Sequence, residues 1–89
     1  MPYSAGYTDR FLKDVKKLDT HQRELVYKRI EKILLNPDLG KPLHAPLHDY
    51  KSERLEKVRI IYKIVGNTIE FAWLDNRSHV YVYRIKVVG

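Results

Sequence analysis

The sequence predicts an α+β domain, a twisted antiparallel sheet of about four strands with an N-terminal helical hairpin packed on one face, in the order β-α-α-β-β-β. Three observations carry that prediction. Apolar residues recur at helical spacing in the first half of the chain and alternate in the second half, and a proline-bearing stretch with no period separates the two regimes. Helices and antiparallel strands that are segregated in this way leave one sheet face covered and the other at least partly open to water.

Each element has its own signal. "YSAGYT" (3–8) reads as a short strand, weakened by Ala5 and Gly6. Thr8 or Asp9 then caps a helix in which Phe11, Leu12, Val15 and Leu18 share one face, while Arg10, Lys13, Asp14, Lys16 and Lys17 fill the other. Asp19 or Thr20 caps a second helix with an apolar stripe of Val26, Ile30, Ile33 and Leu34, Leu25 at its edge, and a stop at Asn36-Pro37. With almost no loop between them, the two helices form an antiparallel hairpin.

"PDLGKPLHAPLHD" (37–49) holds three of the chain's four prolines and reads as a connecting loop that skirts the domain. In "KVRIIYKIV" (57–65) Val58, Ile60, Tyr62 and Ile64 point one way, and Lys57, Arg59, Ile61, Lys63 and Val65 the other. Gly66-Asn67 is a two-residue hairpin signal, after which "TIEFAWL" places Ile69, Phe71 and Trp73 on one face. A second turn around Asp75 and Asn76 leads into "HVYVYRIKVV" (79–88), a further strand.

The totals bound the function. Residues 1–89 make one domain, and 44% hydrophobic with 31% charged residues is the composition of a folded protein. A core this small supplies only about 3–5 kcal/mol. The absence of cysteine excludes disulfides, thiolate metal sites and thiol catalysis, and fits a cytoplasmic setting. The first residues lack the apolar centre of a signal peptide, and no run approaches the ~20 apolar residues of a membrane helix, so a soluble protein with no membrane partner is expected. A net charge of +6 favours a polyanionic partner such as nucleic acid. Residues 1–44 carry nine basic and six acidic side chains and residues 45–89 eight and five, so the excess is spread along the chain and a binding surface has to be assembled by the fold.

No phosphate-binding glycine loop, HExxH zinc helix or nucleophile elbow is present. His44 and His48 have metal-ligand spacing only on a helix, which Pro46 opposes, so neither a metal nor another cofactor is expected. His21 reads as a solvated polar residue. Glu53 and Glu56 lie among Lys51, Arg54 and Lys57, where ion pairing is their plainest role.

The remaining constellation is cationic: Arg54, Lys57, Arg59 and Lys63 around one strand, then Arg77, His79 and Tyr81 after the next. Chemistry on an RNA phosphodiester needs little more, because the substrate's own 2′-hydroxyl is available as the nucleophile. One group takes the 2′ proton, fixed cations stabilise the phosphorane-like transition state, and another group protonates the departing 5′ oxygen. Arginine suits the middle task, since its planar fork grips phosphate and never loses charge. His79 titrates near neutrality and fits an acid or base; Tyr81 either stacks on a base or donates its proton. The competing reading makes Tyr81 and Tyr83 sheet-packing aromatics and His79 a solvated turn residue. Arg59, inside a core-like strand, needs either a partner or an exposed functional face.

The assembled pattern resembles the RelE/ParE superfamily of toxins, near its RelE and YoeB-like branches. The resemblance spans most of the chain: a first strand, "FLKDVKKL" and a longer helix ending in "NP", a leucine- and proline-bearing connector, "VRIIYKI" and "LDNRSHVY". "VRIIYKI" is similar to the family's "YRLVY" strand, and "NRSHVY" to its "HRxxVY" ending. The resemblance implies that Arg59 contacts the scissile phosphate and that Arg77 and Tyr81 are the closing-motif arginine and tyrosine. Asn76 stands where a histidine often precedes that arginine, and His79 is a substitute acid or base. The activity implied is metal-independent endoribonuclease cleavage of messenger RNA on the ribosome, neutralised by a cognate antitoxin, with operator DNA bound only through the antitoxin complex. Beside the resemblance, the residues themselves make Arg54, Lys57 and Lys63 the expected RNA- and phosphate-binding cations. The alternatives are a ParE-like toxin that inhibits DNA gyrase without catalysis, or an inactive relative that only binds its antitoxin.

Overall fold

A computed structural model describes residues 3–76. It contains β1 (Ser4–Tyr7), α1 (Asp9–Lys16), α2 (Thr20–Leu35), a single 3-10 turn (Pro37–Leu39), β2 (Lys41–Pro42), β3 (Tyr50–Leu55), β4 (Val58–Val65) and β5 (Thr68–Asn76). The strand expected at 79–88 lies outside the described residues. No helix among those described is long and apolar enough to cross a membrane.

The α+β architecture is as expected, with two refinements. The sheet has five strands in the order β1-β5-β4-β3-β2, and β1 runs parallel to β5 while the other pairs are antiparallel. A parallel neighbour needs a long crossover, which the helical hairpin and the β2–β4 meander together provide. The second refinement lies in residues 41–55, where β2 and β3 form. "YKSERL" buries only Leu55, so it shows no apolar alternation. It becomes a strand because the two-residue turn at Glu56-Lys57 folds it onto β4 in the register Leu55↔Val58 to Tyr50↔Lys63.

Both helices start where their caps predict. The Thr8 hydroxyl accepts from the Phe11 amide at 3.0 Å, and the Asp19 carboxylate accepts from the Gln22 amide at 2.8 Å. Gly66-Asn67 makes the expected tight turn between β4 and β5, with Gly66 at φ +61°.

One expectation about β5 is corrected. Ile61 pairs with Trp73 and Tyr62 with Phe71, so Ala72 is an extra residue on β5, a bulge. An inserted residue inverts the alternation beyond it. Ile69 and Phe71 therefore face the helices and are fully buried, while Trp73 shares the opposite face with Ile61. Helix α1 holds the bulge in place: the Thr8 hydroxyl donates to the Ala72 carbonyl at 2.6 Å, and the Asp14 carboxylate accepts from the Leu74 amide at 3.0 Å.

The core lies between the helices and this sheet face. Phe11, Val15, Val26, Ile30 and Ile33 meet Val58, Ile60, Tyr62, Ile69 and Phe71 there. Tyr62 also pins the connector. Its hydroxyl donates to the Pro37 carbonyl at 2.8 Å and accepts from the Gly40 amide at 2.9 Å, and burial holds its phenol above the usual tyrosine range. A side chain at position 40 would come within 2.7 Å of that hydroxyl, which explains the glycine. Tyr62→Phe strands both backbone groups and is expected to cost about 1–3 kcal/mol. The loss is to be read from the urea midpoint at an unchanged m-value.

Candidate nucleic-acid interface

Cross-strand register sets out the side chains on the sheet face away from the helices. Paired residues share a face, so three rows cross it: Arg54–Arg59–Asp75, Lys41–Ser52–Ile61–Trp73, and Tyr50–Lys63–Glu70. The face expected to be basic is basic, and it is also aromatic.

Its central feature is the pairing of Arg54 directly opposite Arg59. Like charges in that position repel and destabilise a sheet. Neither arginine forms an ion pair with any described residue, and the Arg59 Nε is buried with no hydrogen-bond acceptor among them. Two guanidinium groups that line one cleft and form no ion pair with any described residue make a site for an external anion. They line an open cleft of about 600 Å³ with Lys41, His44, Ser52 and Glu53, walled by Leu39, Pro42 and Leu43. The Tyr62 pin sets that wall, because Pro37 and Gly40 flank the turn from which Leu39 projects.

Asp75 stands across from Arg59 on the other side and accepts from the Trp73 indole at 2.9 Å, and the remaining nearby carboxylates have partners of their own. Glu53 borders the cleft, but its carboxylate pairs with Arg29 of α2, a partner that its near sequence neighbours did not disclose. Glu56 lies 3.9 Å from His21 on an exposed surface. Lys51, also on the helix side, approaches Asp38 at 3.9 Å.

Of the residues singled out from the sequence, Arg54 and Arg59 meet in the cleft. Lys57 sits in the exposed turn beside them. Lys63 lies in another row, 3.9 Å from Glu70. Arg77, His79 and Tyr81 lie outside the described residues. Lys41 and His44 were missed, since the signal that recruits them is the β2–β3 pairing rather than any motif. His44 brings an imidazole to the cleft.

No family profile matches the chain. A candidate toxin of Methanocaldococcus jannaschii, RelE4, is 28% identical over 76 residues, covering 82% of this chain and 81% of the relative. Among solved structures, a chain of the Mycobacterium tuberculosis toxin–antitoxin complex RelBE2 is 26% identical and superposes with a TM-score of 0.78, covering 86% of this chain and all (100%) of that one. A chain of the RelB–RelE antitoxin–toxin complex from Methanococcus jannaschii is 27% identical with a TM-score of 0.69, over 88% of this chain and 96% of that one.

Proposed function

We propose that this chain, similar in sequence and fold to RelE toxins, is a member of the RelE/ParE superfamily, the toxin of a RelBE-type toxin–antitoxin system, and acts as a ribosome-dependent mRNA endoribonuclease. The observation that carries this reading is the Arg54–Arg59 pair, without an ion pair to any described residue, in a cleft on a basic sheet face. Arg59, with Arg54 opposite, holds the scissile phosphate and stabilises the charge that builds up on it. The substrate's 2′ oxygen gives up its proton and attacks phosphorus, the O2′–P bond forms as the P–O5′ bond breaks, and the 5′ oxygen leaves with a proton, so that a 2′,3′-cyclic phosphate remains. His44, His79 and Tyr81 are the proposed proton carriers, Arg77 is a second phosphate contact, and Lys57 and Lys63 hold flanking phosphates. No step calls for a metal.

A cognate antitoxin is the proposed protein partner, as solved complexes of the relatives contain one, and operator DNA is reached through that complex. The test against the gyrase-inhibiting alternative is a paired assay. Purified protein is expected to stop synthesis of a defined polypeptide in a reconstituted translation reaction and to leave supercoiling by DNA gyrase unchanged. The reverse result replaces the nuclease reading with the ParE-like one.

A further inference from the structure

The aromatic residues of the open face have no role in holding the scissile phosphate. Trp73 is placed there by the Ala72 bulge, directly across from Ile61 and two residues, about 7 Å, along β5 from the row that holds Arg59. Tyr50 packs against Trp73 edge-on, with ring centroids 5.3 Å apart and planes at 67°. The indole is oriented by its Nε1, which donates to the Asp75 carboxylate at 2.9 Å. Each ring carries a cation: the Arg10 guanidinium lies 5.1 Å from the Trp73 centroid, and the Lys63 ammonium 5.1 Å from that of Tyr50. The acids in this region are Asp75, bonded to the indole, and Glu70, beside Lys63.

We infer that Tyr50 and Trp73 form a stacking platform for an unpaired base of single-stranded RNA next to the phosphate held at Arg54 and Arg59. The inference rests on the RNA-directed reading above and adds a second subsite to it. Rings interleaved with cations on a sheet face match a chain that alternates flat bases with anionic phosphates. The cations on the rings also suit exchange. Arg10 is exposed, and an exposed cation–π contact is weaker than the stacking of a base, so a base takes the ring face as the guanidinium moves to the adjoining phosphate. Duplexes are excluded, because their bases are already stacked and paired. Every base has a π face, so the platform holds the strand without strong sequence choice.

Trp73 is the chain's one tryptophan, so its emission reports on the platform alone. The experiment titrates the full-length protein with a 2′-O-methyl pentanucleotide, which cannot be cut because its nucleophile is blocked, and with an abasic strand of equal length and charge. Anisotropy of labelled strands measures binding. The base-bearing strand is expected to quench Trp73 and to bind about tenfold more tightly than the abasic one. Tyr50→Ala is expected to remove that advantage and leave abasic binding unchanged. Equal binding of the two strands, unchanged emission at saturation, or no binding of either strand overturns the platform. Because the probe is uncleavable, this result is independent of cleavage: a protein that cuts message without Trp73 quenching loses only the platform, and one that quenches without cutting loses only the nuclease.

Discussion

Arg59→Ala is expected to lower ribosome-dependent message cleavage by ~10²-fold or more while the protein stays folded. The two halves of that expectation share a cause. Arg59 stands between Arg54 on β3 and Asp75 on β5 and forms no ion pair with any described residue, so attraction and repulsion largely offset and its charge adds little to folding. Removing it takes away both, and the thermal midpoint should stay close to the parental value. A residue kept for stability would behave the other way, losing midpoint and activity together. The discriminating data are cleavage rate and melting temperature measured on one preparation. A folded variant that cuts at the parental rate removes Arg59 from the mechanism.

Phe71→Ala is expected to abolish cooperative folding near room temperature. Phe71 is fully buried, and its ring meets those of Tyr7, Phe11 and Tyr62 at centroid distances of 5.6, 5.7 and 5.9 Å. It thus joins β1, α1 and β4 to β5. Truncating a buried phenylalanine to alanine typically costs about 3–5 kcal/mol. That equals the whole stability expected of so small a core, roughly 3–5 kcal/mol. Thermal melts followed by circular dichroism should show no sigmoidal transition, or one displaced by tens of degrees. Leu12→Ala provides the contrast: Leu12 is 47% exposed, and its loss should lie within about 0.5 kcal/mol of neutral. A cooperative Phe71→Ala melt at the parental temperature would show that the core is held together elsewhere.

The elements with strong local signals were legible in the sequence. Thr8 and Asp19 cap the helices they were expected to cap, Asn36-Pro37 ends α2, and Gly66-Asn67 turns β4 into β5. These depend on a residue's own backbone preference or on the next turn of chain, so sequence order is enough to read them. Strand β3 was hidden because its stability comes from pairing with β4, and its own residues lack an apolar period. Trp73 was assigned to the wrong face because a bulge adds one residue that leaves no mark on the alternation of "TIEFAWL" until its partner register is known.

The candidate site divides along the same line. Arg59 stood out as a charge in a core-like strand. That Arg54 lies across from it follows from a two-residue turn at Glu56-Lys57, where Glu56 takes φ +52°, a conformation that favours glycine and that the sequence does not announce. Lys41 and His44 reach the cleft through β2, a strand of only two residues, Lys41–Pro42. Charge type was therefore readable, and charge convergence required the fold.

The activity proposed for this basic face is the cutting of message on the ribosome. Its most direct test is 5′-end mapping of a defined message in a reconstituted translation reaction, with the purified protein present or absent and with ribosomes omitted as the control. Cuts phased to codons that appear only when both protein and ribosomes are present are the predicted result. Folded protein that leaves the message intact on the ribosome, or cuts it equally well without one, would contradict the account.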